Sequence, residues 1–161
     1  SSEKFNSNVH VFFGTNDFLG NTNKFSKLVL DNFPKIRLKV AISGIFNFMF
    51  EIESLKKLYK NRITWETNIT NMAHHMMDCS IAIGTPGMST WERSCMGLPT
   101  LHLLNSPTQT KILESLKNSG ICDYIGHINK LSDKEFIIGF DKFLQNKKKI
   151  VKNKKNRSKK H

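Results

Sequence analysis

The chain has 161 residues, with 25 Lys and Arg against 13 Asp and Glu, a formal net charge of +12, and 39% of its residues are hydrophobic. That length and apolar fraction suit one domain with a proper buried core, while no apolar run approaches the roughly 18–20 residues that span a bilayer and the polar residues 1–8 carry no signal-peptide pattern. Three cysteines without CxxC spacing argue against a disulfide framework or a zinc knuckle and for a reducing, cytoplasmic setting.

Alternating strands and helices are predicted along the chain. Residues 8–13 (NVHVFF) form a short apolar strand ending at Gly14, the polar loop GTNDFLGN follows, and a helix runs over 22–33 until Pro34 stops it. Residues 36–42 alternate as a strand, 48–59 carry apolar residues at helical spacing, and 62–65 make a brief strand. A short helix over 68–77, capped by Asn68 or Thr70, precedes a buried-type strand at 79–83. A tight turn at 84–88 opens directly into a helix at 89–96, which ends at Gly97-Leu98-Pro99. The pattern closes with a strand at 100–104, a helix at 107–118 ended by Gly120, a strand at 122–125, and a helix at 133–145 capped by Ser132. Strands separated by such helices imply βαβ units, so the expected fold is α/β: a single Rossmann-like domain whose six-stranded, mainly parallel sheet has helices on both faces.

The charge is unevenly placed. Residues 146–161 (NKKKIVKNKKNRSKKH) hold nine Lys and Arg and no acid, which leaves residues 1–145 with 16 basic and 13 acidic side chains, a net of +3. The division is therefore a domain over 1–145 and a basic tail over 146–161. The tail reads either as a frayed, solvated end or, with Phe136, Phe140, Phe143, Leu144 and Val151 near one face, as a basic amphipathic extension of the last helix over 146–153.

Chemistry concentrates in residues 79–109. An apolar strand ends in Gly84-Thr85-Pro86-Gly87 and a helix starts at once. Gly87 has no side chain to keep a ligand from the backbone. The free N–H groups of Met88, Ser89 and Thr90, with the positive end of the helix dipole, would then form an anion site suited to a diphosphate. Glu92, three residues after Ser89, reads two ways: as an acceptor for ribose hydroxyls, or as the partner of Ser89 in an S-x-x-E capping box with no ligand.

The residues Met72-Ala73 and Met76, then CSIAIGTPGMSTWERSCMGLP, then Gln109 eleven residues before Gly120, resemble the C-terminal half of nucleotide-sugar hydrolases of the pseudaminic-acid and spore-coat polysaccharide pathways (PseG/SpsG-like). The piece VFFGTND at 11–17 looks like that family's F-G-G-T-D loop. More distantly, the pattern is similar to the nucleotide-binding domain of MurG-like glycosyltransferases, which share the GT-B architecture. The resemblance is carried by residues 69–120, with a weaker match at 9–17.

The resemblance implies UDP or a UDP-sugar as ligand. Gly87, Met88 and Ser89 would donate to the diphosphate, and Glu92 would bind the ribose. Ile69 would lie where uracil is held by main-chain groups. Gln109, with Thr108 before it, would reach phosphate or sugar, and Gly14 and Asp17 would face an interdomain cleft. Ser80, Thr15, Pro86 and Thr108 depart from the family's Asp, Gly, Gly and Asn, and Thr108 bears on the sugar-side contacts. The family's catalytic His sits in a G-x-G-H loop of an N-terminal domain, and no G-x-G-H occurs here. The chain, which also lacks an initiating Met, is accordingly expected to be the C-terminal half of a longer enzyme. Its N-terminal domain would be its partner and would hold the catalytic residues, so that the chain alone binds without turnover. The alternatives are a GT-B glycosyltransferase domain and, from another class, a nucleic-acid-binding module using the tail.

No metal or cofactor is expected, because adjacent His74 and His75 point about 100° apart on a helix and lack an HxxxH partner; they read as exposed or partly packed. His10 and His102 read as core or rim histidines, and His127 as lying at the sheet end that holds the cleft. Cys95 reads as buried against the sheet, and FNFMF at 46–50 as core packing rather than a contact surface. Nucleic acid is the less favoured partner, with an anionic membrane surface kept as a further role for the tail.

Overall fold

A computed structural model of the chain describes residues 5–87, 97–111, 114 and 122–159. The strands are β1 (Asn8–Phe12), β2 (Arg37–Ile42), β3 (Ile63–Thr67), β4 (Ile81–Gly84), β5 (Thr100–Leu104) and β6 (Cys122–His127); the helices are α1 (Asn21–Asn32), α2 (Met49–Tyr59), α3 (Met72–Met76) and α4 (Asp133–Lys159). All six strands pair in parallel in the order β3-β2-β1-β4-β5-β6. This is the α/β, Rossmann-like sheet that the alternating pattern predicts.

Strand alternation sorts the residues into two unlike faces. Val9, Val11, Leu38, Val40, Ile63, Ile81, Ile83, Leu101 and Leu103 turn to one side, where they pack against Phe25 and Val29 of α1, Ile52 and Leu55 of α2, and Phe136, Phe140, Phe143 and Leu144 of α4. Phe25 and Phe136 lie 4.8 Å apart between ring centroids, and Phe33 and Phe140 the same. Each such buried ring contributes on the order of 2–3 kcal/mol. The other face carries His10, Ala82, Thr100 and His102, all buried, and α3 packs there through Met76 against Ala82 and Leu98.

Three details depart from the sequence pattern. The side chain that caps α3 is Asn71, which accepts from the His74 N–H at 3.0 Å. Asn68 instead sits in the left-handed region, φ 50°, where its Oδ1 accepts from Gly44 and its N–H donates to Ile42. Second, the final helix does not stop at Gln145 but runs on to Lys159, so the extension and not the frayed end is what the structure shows. Third, His75 is buried at 3% exposure. Only His74 of that pair is exposed.

The start of α4 follows the pattern closely: Ser132 Oγ accepts from Glu135 N–H at 3.1 Å and Glu135 Oε1 accepts from Ser132 N–H at 3.4 Å, a reciprocal capping box. Residues 109–111 are helical, as expected of 107–118, while the expected helix at 89–96 lies outside the described residues.

Candidate nucleotide site at the strand-order reversal

Strand order reverses between β1 and β4. Loops leaving the carboxyl ends of two such strands diverge and open a crevice, the usual ligand position in doubly wound sheets. Gly14 follows β1 on one side, and Thr85-Pro86-Gly87 follow β4 on the other. Gly14 has φ +84°, a conformation that disfavours any side chain, and a Cβ built there would stand 3.6 Å from Thr85 Oγ1. The two loops therefore meet at this point.

Gly87 is different. Its φ lies outside the left-handed range, and a Cβ built on it would meet nothing within 4 Å. Among the described residues, nothing stands where a side chain at this position would go. The turn is braced from β5: Gln109 Nε2 donates to the Pro86 carbonyl at 3.2 Å while its Oε1 accepts from Asn105 N–H at 2.9 Å. Both ends of the Gln109 amide are thus engaged in holding the turn. Thr108 shares a 2.8 Å hydrogen bond between its Oγ1 and Ser106 Oγ and is exposed beside it.

Asp17 is placed otherwise than a cleft residue would be. Its carboxylate accepts from Asn21 N–H, Thr22 N–H and Thr22 Oγ1 at 3.1, 2.7 and 2.7 Å, which makes it the buried anion at the start of α1. Ile69 lies at the same end of the sheet, half-buried, in the loop between β3 and α3. Met88, Ser89 and Glu92 lie outside the described residues, as does Cys95.

The residues that shape this end but escape a sequence reading are two asparagines. Asn16 (φ 59°) donates its N–H to Ser43 O at 3.0 Å and accepts from Ile45 N–H at 2.7 Å, tying the loop after β1 to the loop after β2. Asn68 ties β3 to β2 in the same way. Asparagine tolerates the left-handed conformation and carries its own acceptor, which is the only local signal for such a role. Around these ties stand Phe18, Leu19, Ile45 and Phe50, all exposed, with Leu19 at 80%. The FNFMF segment is therefore divided, since Phe46 and Met49 pack on the core while Phe50 faces solvent.

Behind the crevice, on the α3 face, lies a second polar group. His75 stacks edge-on to His10 with centroids 5.1 Å apart, and its Nε2 is 3.9 Å from Glu66 Oε2. Burial, followed by the charge of Lys39, lowers its pKa below the usual histidine value, against the opposing pull of Glu66 and Asp78. Burial pushes the Asp78 carboxyl up, but the 3.0 Å contact with Lys39 outweighs it and holds the group below the ordinary range. Cys79 is a free thiol pushed up to about 12, chiefly by burial and then by Asp78, and so is unreactive. Among the described residues no three His, Cys, Asp or Glu are grouped to hold a metal ion, and no helix is long and apolar enough to cross a membrane.

No protein-family model matches the chain. An uncharacterized protein of Methanocaldococcus jannaschii, MJ1062, is 27% identical over 144 residues, which is 85% of this chain and 28% of that protein. Among solved structures, the spinosyn rhamnosyltransferase SpnG complexed with thymidine diphosphate superposes with a TM-score of 0.66 at 14% identity, over 94% of this chain and 40% of that one. MurG of Acinetobacter baumannii gives 0.62 at 18% identity, over 91% and 43%. These likenesses show a shared fold, the Rossmann-like fold of GT-B glycosyltransferases. The chain spans about two fifths of the length of the solved structures it matches and 28% of the curated relative.

Proposed function

We propose that this chain is the nucleotide-sugar-binding domain of a GT-B enzyme of polysaccharide biosynthesis, holding UDP or a UDP-sugar in the crevice between β1 and β4. The observation that carries the reading is the Gly87 turn. It is braced by Gln109, lies beside Gly14, and among the described residues leaves room where a side chain at Gly87 would stand. The diphosphate would lie over Gly87 and the N–H groups that follow it at Met88 and Ser89, with Glu92 on the ribose and Ile69 toward the base. Backbone donors aimed at a leaving diphosphate stabilise the charge that develops as the glycosidic bond breaks. Gln109 holds the turn in place, and Thr108 stands toward the sugar. The solved likeness named as complexed with thymidine diphosphate supports a pyrimidine nucleoside diphosphate as the ligand class.

No residue of this chain is assigned the chemical step. A second domain of the same polypeptide would close over the crevice and supply the base, in a cytoplasmic setting where nucleotide sugars are made. A transferase would pass the sugar to an acceptor. Hydrolysis is the second reading, favoured by the S-T-W-E-R run at 89–93. The two separate when the longer polypeptide is given a UDP-sugar without acceptor: release of free sugar in step with UDP marks the hydrolase.

Calorimetric titration with UDP, thymidine diphosphate, UMP and ADP tests the site. The diphosphates of uridine or thymidine are expected to bind at least tenfold more tightly than UMP. Gly87→Ala, whose methyl group meets none of the described residues, is expected to cost roughly tenfold in affinity, about 1.4 kcal/mol, with no change in thermal midpoint. Glu92→Ala is expected to weaken UDP more than it weakens inorganic diphosphate. Absence of binding by every pyrimidine nucleoside diphosphate overturns the proposal.

A further inference from the structure

The long terminal helix places the basic segment at a definite site on the molecule. α4 starts near the carboxyl end of β6 and runs back alongside α1. By Lys147 it has reached the amino end of the sheet, where Nζ pairs with Asp123 Oδ2 at 3.0 Å at the start of β6. Lys148 then covers the ring of Phe5, just ahead of β1. Among the described residues, these are the last ion pair and ring contact that tie α4 to the body. The helix continues from Lys149 to Lys159, which at 1.5 Å per residue is roughly 16 Å of overhang. It leaves from the edge of the sheet opposite the crevice.

We infer that this overhang is a docking element for the surface of an anionic lipid bilayer. Nine of the chain's 25 basic residues and none of its 13 acids fall in 146–161, whereas the body carries only +3. Two of the nine, Lys147 and Lys148, are engaged with the body, while Lys149, Lys152 and Arg157 are exposed beyond it. Charge complementarity therefore calls for a polyanion at this end of the molecule, and the kind of cation selects which one. Eight of the nine are Lys and one is Arg. Lysine is a point charge suited to the diffuse potential of a lipid surface, whereas recognition of individual phosphodiesters favours the bidentate guanidinium, usually with aromatic side chains that stack on bases. Phe, Tyr and Trp are all absent from 146–161. Ile150, 46% exposed, and half-buried Val151 add a small apolar spot at the base of the overhang. A polybasic helix with so little apolar surface adheres reversibly through charge and does not insert. Because the crevice opens at the other end of the sheet, docking in this way leaves it facing away from the lipid.

Co-sedimentation of the full chain with vesicles tests the inference and does not depend on the nucleotide site. Vesicles containing one third phosphatidylglycerol are expected to retain the protein at about 50 mM salt. Pure phosphatidylcholine is expected not to, and binding to the anionic vesicles is expected to fall at least tenfold at about 300 mM. The triple replacement Lys149→Glu, Lys152→Glu and Arg157→Glu, at exposed positions past Lys148, is expected to abolish retention with an unchanged thermal midpoint. The salt series on the unaltered chain stands whether or not the variant folds. Retention that is salt-independent or indifferent to the triple replacement overturns the inference, as does preference for a DNA or RNA duplex over anionic vesicles at equal phosphate.

Discussion

His75 shows how one buried side chain sets a pH limit on the fold. Its neighbours are His10 from β1, Lys39 from β2, Glu66 from β3, His74 next to it in sequence and Asp78 three residues on. Because its folded-state pKa lies below 6.5, the unfolded chain binds the proton more readily, and stability rises with pH through the window between the two values. The contribution is complete above pH 6.5 and is lost as pH falls toward the folded value. Asp78 acts in the same direction, but only as pH falls through the carboxylate range. Urea midpoints measured from pH 7.5 to 5 are expected to decline, and His75→Gln is expected to flatten that decline while leaving the acid limb below pH 4. Gln109 makes a separate prediction. Gln109→Glu removes the amide donor to Pro86 and sets a carboxylate against a carbonyl. It is expected to cost about 1 kcal/mol in stability and at least tenfold in UDP affinity, with Gln109→Leu milder in affinity than Gln109→Glu.

At the scale of elements, two close fits decide how the helices seat. Arg62 donates from Nε to Ile36 O and from Nη2 to Leu30 and Phe33 O, at 3.0, 3.1 and 2.7 Å. It thereby satisfies carbonyls at the end of α1 while resting on the Tyr59 ring. Arg62→Met is expected to destabilise the protein by about 2–3 kcal/mol, and Arg62→Lys to recover less than half, since one ammonium does not reach all three carbonyls. Gly139 lets α4 approach β6: a Cβ there would run into Cδ1 and Cγ1 of Ile125. Gly139→Ala gains helix propensity, yet is expected to lose about 1–2 kcal/mol net through overpacking, and adding Ile125→Val is expected to restore part of it. Thermal and urea denaturation measure both.

Periodicity made these elements legible to within a few residues, because apolar spacing fixes both the type of an element and its buried face. It did not identify the cap of α3, since Asn68, Thr70 and Asn71 are all capping residues and only the tertiary pull of Ile42 and Gly44 on Asn68 decides among them. Nor did it give Asp17 its place. An acid in a polar loop reads as ligand or cap alike until Asn21 and Thr22 are seen to turn toward it. The extent of α4 escaped for another reason: lysine is a good helix former, but a run of like charges argues for fraying.

For the whole molecule, the alternating pattern implied a parallel sheet but contained nothing about which strands are neighbours. The placement of β4 beside β1, which creates the crevice, is a tertiary fact. It brings Gly14, Gly87 and Gln109 together from the segments that follow three separate strands, so the site depends on the sheet being complete. Reagents that compete for the crevice are therefore expected to raise the thermal midpoint of the entire domain as one transition: a saturating ligand at 100 times Kd adds about 2.7 kcal/mol, seen as a single shifted calorimetric peak.

The same central position of β1 governs the order in which the chain can acquire its structure as it is made. β1 has its β2 partners about thirty residues downstream, but its other edge waits for β4, with Val9 opposite Ile81. At ordinary synthesis rates of 5–20 residues per second that interval lasts roughly 4–14 s. In the last part of it, once β3 has been made as far as Thr67, the β1-α1-β2-α2-β3 half carries an unpaired, apolar strand edge, the kind of surface that recruits other chains. The strand that completes the crevice is thus also the one that closes this edge of the newborn protein.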